Sequence, residues 1–154
     1  MSENLDNLYR DIIMEHYKYP RGKNKIEDPD LTSEGKNPVC GDEIEMKVKL
    51  DGDTVADISM DCAGCAISVA SGSMLADTIK GKTIDEVKKI ASAIKAILKG
   101  EKPDDDVDLG DLEALEGVKK FPVRIKCALL SWTTLIEGLK NWEAGKKRKV
   151  TTTE

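Results

Sequence analysis

Between residues 43 and 50 apolar and charged side chains alternate without a break, with Ile44, Met46, Val48 and Leu50 on one face and Glu43, Glu45, Lys47 and Lys49 on the other. A period of two places such a segment in a strand with one buried face. Asp51-Gly52 supplies a tight turn, and residues 54–62 return antiparallel with Ala56, Ile58 and Met60 on the apolar face. Counting on by two puts Cys62 on that face as well, as a core residue in preference to a ligand.

Other segments repeat at steps of three and four. Leu5, Leu8, Ile12, Ile13 and Tyr17 mark an amphipathic helix over residues 5–19, stopped by Pro20-Arg21-Gly22. Thr83-Ile84-Asp85-Glu86 has the form of a capping box, and Val87, Ile90, Ala91, Ile94, Ile97 and Leu98 carry a helix on to Gly100. Pro122 suits a first helical position, after which Ile125, Leu129, Trp132, Ile136 and Leu139 form one buried stripe. The small-residue segment 66–80 predicts a further helix with Cys65 at its N-terminus. Residues 23–36 are polar, and only Ile26 and Leu31 suggest a short strand there. Between Asp104 and Lys120 the spacing of Leu109, Leu112, Leu115 and Val118 suggests a loop with one short helix. The fold expected is α+β: a small antiparallel sheet packed against several α-helices, in a single domain over residues 1–145.

The net charge of −5 argues against a nucleic-acid partner. Only Lys146-Lys147-Arg148-Lys149 runs basic, and residues 146–154 read as a solvated, frayed end. The N-terminus Met1-Ser2-Glu3-Asn4-Leu5-Asp6 lacks the features of a signal peptide, and no apolar run approaches the roughly 18 residues of a membrane span. A cytoplasmic location is therefore expected, without a membrane partner. A chain of 154 residues needs no staples to bury a core. In a reducing compartment its four cysteines point to metal or sulfur chemistry rather than disulfides.

Three of those cysteines have settings that stabilise a thiolate or a metal bond. Pro38-Val39-Cys40-Gly41-Asp42 puts a soft sulfur and a hard carboxylate two residues apart, on a turn where Gly41 lets the backbone close up. Cys65, at a helix N-terminus, gains from the partial positive charge there. Cys127 has Arg124 three residues earlier on the same helical side and Lys126 beside it. Cys62 and Cys65 also form a Cys-x-x-Cys spacing, so an all-thiolate zinc site of Cys40, Cys62, Cys65 and Cys127 stays open. His16 is the single histidine, and hydrolytic catalysis would have to use it. With no nucleophile near it in sequence, it reads as a helix-surface or docking residue.

These motifs, in this order, resemble the U-type iron-sulfur cluster assembly proteins (the SufU, IscU and NifU N-terminal group). The residues that carry the likeness are Leu8-Tyr9-Arg10, His16 to Pro20, Asn37 to Asp42, Gly64 to Ser68, Asp108 to Asp111, Glu113 to Leu115, and Phe121 through Trp132. The chain looks most like the SufU branch, because Lys126 precedes the last cysteine where the IscU branch usually has histidine. The resemblance implies a zinc site of Cys40, Asp42, Cys65 and Cys127. It also implies a pyridoxal-phosphate cysteine desulfurase as partner, with Cys40 accepting the persulfide sulfur after a histidine of that enzyme displaces it from zinc. Arg124 would help stabilise anionic sulfur. A second reading is a scaffold in which the same residues hold a transient [2Fe-2S] cluster, Cys127 receives the persulfide, and the cluster passes to a carrier or apoprotein. A third is a purely structural zinc module. Cys62 stands where the family usually has glycine. A monomer or weak homo-oligomer is expected.

Overall fold

A computed structural model of the chain describes residues 2–103, 107–145 and 148–152. Asp104, Lys146 and Lys147, on which parts of the loop and basic-run expectations fall, lie outside the described residues, as does the side chain of Leu5. The alternating segment forms β2 (Asp42–Asp51), joined through a turn with Gly52 at φ +63° to β3 (Thr54–Ala63). The two pair antiparallel with Met46 opposite Met60 and Val48 opposite Ile58. The register slips at Lys49/Leu50, so Leu50 faces Val55. Val55 is therefore buried, and Ala56, expected on the apolar face, is exposed.

The weakly signalled strand is real and lies later than the polar stretch suggests, as β1 (Leu31–Asn37), antiparallel to β2. Its inward residues are Leu31, Ser33, Gly35 and Asn37. Small side chains are required there because helix α4 (Pro122–Glu143) lies directly across them. A Cβ on Gly35 would collide with the Thr134 hydroxyl, and one on Gly138 would come within 2.9 Å of the Ser33 Cβ. The basic end also differs from expectation: Arg148–Thr152 runs parallel to β1 as β4, giving the strand order β3-β2-β1-β4.

The helices α1 (Ser2–Lys18), α2 (Ala66–Ile79) and α3 (Ile84–Leu98) match the predicted segments, and the capping box at Thr83 and Glu86 is formed in both directions. The loop after Pro103 contains a 3-10 helix, Gly110–Lys120, whose Leu112, Ala114, Leu115 and Val118 are buried. Two predicted stripes are rotated. In α1 the buried side chains are Ile13 and His16, while Leu8 and Tyr17 are exposed. In α4 burial extends over Cys127, Ala128, Leu130, Ser131, Thr134 and Leu135 as well as Trp132, leaving Ile125, Leu129 and Ile136 only partly covered. Both helices meet more than one neighbour, which widens the buried face beyond a single apolar row.

Candidate metal centre

Three chain segments converge at one end of the sheet: the turn between β1 and β2, the start of α2, and the first turns of α4. Gly41 sits at φ +72°, a left-handed conformation that glycine adopts without a Cβ clash, and so reverses the chain directly after Cys40. Asn37 pairs with Asp42 across the ladder, which closes the turn and points both side chains inward. Gly64 makes room for the Asp42 carboxylate, since a Cβ there would lie 2.8 Å from Asp42 Cγ. Cys65 is the N-cap of α2, as predicted, and its backbone N–H donates to Asp42 Oδ1 at 2.9 Å. Cys127 is held from the other side by α4, which is pinned to α2 where the Ser71 hydroxyl donates to the Ala128 carbonyl at 2.6 Å.

The resulting geometry brings Cys40 Sγ to 3.1 Å from Cys127 Sγ. Ligand atoms of Cys40, Asp42 and Cys127 all lie within 4.8 Å of one another. The Cys65 sulfur falls outside that group of three but still bears on the Cys127 thiol. Burial first, then hydrogen bonding with Cys40, Asp42 and Cys65, pushes the Cys127 thiol far above its ordinary range. Arg124 reaches over the same sulfurs. A hydrogen bond to Cys127, and then its electrostatic interaction with Cys65, Cys127 and Cys40, pushes the guanidinium pKa up.

The donor set suits zinc: two soft sulfurs and one carboxylate oxygen in a compact group of three. Asp42 is 1% exposed, and its Oδ2 has no hydrogen-bond partner. A buried carboxylate oxygen left unpaired is costly, and a cation bonded to it removes that cost.

Of the other residues singled out in the sequence, Cys62 lies on the inward face of β3, half-buried, 3.6 Å from the Ser68 hydroxyl, with burial raising its thiol pKa. It is not among the grouped ligand atoms. Lys126 is exposed. His16 is not a surface residue: it is fully buried, with Nδ1 2.7 Å from Ser73 Oγ and Nε2 3.1 Å from Asp111 Oδ2. Serine, histidine and aspartate in a row have the composition of a hydrolytic triad, but Ser73 is 2% exposed and already accepts the Arg21 N–H, so it presents no nucleophile. Asn37, which the sequence motif ending in Asp42 contains but assigns no role, donates from Nδ2 to Cys127 Sγ at 3.7 Å. The period of two along β1, which aligns Asn37 with Leu31 and Ser33, was the available signal.

Fold and centre together define a small α+β protein that groups two cysteine sulfurs and a carboxylate at the end of a sheet, with Cys65 at the helix start beside them. The chain belongs to the family described as the NifU-like N terminal domain, which it matches over residues 8–146. It is 48% identical to the zinc-dependent sulfurtransferase SufU of Bacillus subtilis, over 92% of this chain and 96% of that one. It is 37% identical to the iron-sulfur cluster assembly scaffold protein IscU of Streptococcus pyogenes, over 88% and 85%. Among solved structures it resembles a proposed SUF-system scaffold from Fervidobacterium islandicum, with a TM-score of 0.73 at 34% identity, over 83% and 93%. Among the described residues no helix is long and apolar enough to cross a membrane.

Proposed function

We propose that this protein serves iron-sulfur cluster assembly in the cytoplasm by accepting persulfide sulfur from a pyridoxal-phosphate cysteine desulfurase, at a zinc site of Cys40, Asp42, Cys65 and Cys127. The observation that carries the reading is the buried Asp42 carboxylate, one oxygen unpartnered, grouped with the Cys40 and Cys127 sulfurs. The likeness to a zinc-dependent sulfurtransferase supports it. Bound zinc would supply the positive charge that keeps the cysteine sulfurs as thiolates at neutral pH.

Cys40 is the acceptor. It is half-buried beside Val39, which is 67% exposed, so its turn is within reach of a partner's loop. Its thiolate attacks the terminal sulfur of the donor persulfide. A sulfur–sulfur bond forms at Cys40, the donor's own breaks, and the donor leaves as a thiolate, so no oxidant is consumed. Arg124 then offsets the charge on the new terminal sulfur. Cys127, fully buried, stays behind as a ligand. The sulfur passes on to a carrier or apoprotein.

The test is mass spectrometry of the protein after incubation with desulfurase and cysteine. The parent should gain one sulfur on the peptide containing Cys40, and Cys40→Ser should gain none. Undiminished loading of Cys40→Ser would overturn the assignment.

A second reading has the same residues hold a [2Fe-2S] cluster as cargo, and the 37% identity to an assembly scaffold favours it. A carboxylate among thiolates would make such a cluster labile enough to hand on. Iron with matching acid-labile sulfide in protein purified without oxygen would establish that reading.

A further inference from the structure

Cys40 and Cys127 stand 3.1 Å apart, yet under the proposed sulfur transfer, on which the role assigned below to Asn37 rests, only one of them should react with a persulfide. Asn37 treats the two differently. Its amide donates to Cys127 Sγ at 3.7 Å, while no hydrogen bond from Asn37 to Cys40 is formed. The donor is fixed: Asn37 is fully buried at the end of β1, locked by its ladder pairing with Asp42. Arg124 also bonds to Cys127, but from an exposed position in the first turn of α4.

Asn37 achieves this contact at a cost, since its Oδ1 is buried with no partner. An amide whose only service was to fill space would be better replaced by an apolar side chain of similar size. An N–H pointed at a thiolate draws charge from the sulfur, which leaves it in place as a ligand and weakens it as a nucleophile. We infer that Asn37 is a positioning residue that sets the choice of acceptor, holding Cys127 as an unreactive metal ligand so that sulfur is delivered to Cys40 alone.

The experiment compares the zinc-loaded parent with Asn37→Ala and with Asn37→Gln, which keeps an amide donor long enough to reach the sulfur. Asn37→Ala should raise alkylation of Cys127 by iodoacetamide roughly tenfold, the equivalent of about one net hydrogen bond, and should spread persulfide from Cys40 onto Cys127. With cobalt(II) in place of zinc, the thiolate-to-metal charge-transfer band should move to lower energy in Asn37→Ala and return in Asn37→Gln. If Asn37→Ala does not fold, Asn37→Leu, close in shape and without a donor, takes its place. Unchanged Cys127 reactivity and an unmoved cobalt band in the donorless variant would overturn the role of Asn37. Failure of the parent itself to load sulfur on Cys40 would instead overturn the sulfur-transfer reading, and the cobalt band would still report on Asn37.

Discussion

Two buried polar clusters tie the helices of this protein to its core, one around His16 and the other around Asp42. Both join residues far apart in sequence, and both bury their central side chains, His16 and Asp42. Around His16 the bonds form an unbroken relay: the Arg21 N–H donates to Ser73 Oγ, the Ser73 hydroxyl faces His16 Nδ1, and His16 Nε2 faces Asp111. Around Asp42 the relay stops. Asp42 Oδ2 and Asn37 Oδ1 have no partner, and three cysteine thiols surround them. Among the described residues the other buried polar atoms without a partner, Trp132 Nε1 and Asn141 Nδ2, are donors on α4. Among the described residues the unpaired buried side-chain acceptors thus lie only at the thiol centre. A satisfied cluster holds the fold together, whereas one lacking partners for its acceptors is arranged for a cation.

The largest effect that would sharpen this contrast is zinc itself. At a free concentration 1,000 times its Kd, zinc should stabilise the protein by about 4.1 kcal/mol, which for a domain of this size raises Tm by about 8–16 °C. Calorimetry with and without chelator checks this, and an unchanged Tm would leave the Asp42 cluster unexplained. The gain should shrink in acid. Burial holds the Cys127 thiol above its ordinary value, so the metal-free protein carries that proton at neutral pH and binding must release it. Each released proton weakens binding by about 1.4 kcal/mol per pH unit lost.

His16→Ala is the next largest. It opens a cavity and takes the ring away from the buried Ser73 hydroxyl, at a combined cost of about 3 kcal/mol or about 6–12 °C in Tm. The loss should be equal with and without zinc, and the zinc Kd should stay within about twofold. A marked change in zinc affinity, followed by competition with a chromogenic chelator, would break the separation between the clusters.

The sequence made the hairpin, the capping box and the helix starts at Cys65 and Pro122 legible because each rests on local chemistry. The ordered cysteine motifs also pointed to Cys40, Asp42 and Cys127, whose ligand atoms the fold brings together. Where the pattern misled, two backbones come too close for large side chains. Ser33, Gly35 and Gly138 carry the contact between β1 and α4, and a reading that equates burial with apolar bulk passes over them. His16 misled for a related reason: its partners Ser73 and Asp111 are 57 and 95 residues away, beyond any local signal. Asn37 combines both difficulties, being small, polar and paired to a sulfur 90 residues distant.

Asp42→Asn tests the contrast at its finest. The substitution keeps the shape of the side chain and an oxygen that can still accept the Cys65 N–H. It removes a charge that, without metal, is buried with one oxygen unpaired. The metal-free protein should therefore gain stability, by about 1–2 kcal/mol, or about 2–8 °C in Tm. An amide is a weak zinc ligand beside a carboxylate, so the zinc-dependent rise in Tm should at the same time fall well below that of the parent. A purely structural carboxylate predicts the opposite for the first measurement, namely a metal-free Tm that falls when the ion is neutralised. The two stabilities moving in opposite directions would show that Asp42 is strained in the empty fold because it is placed for the metal.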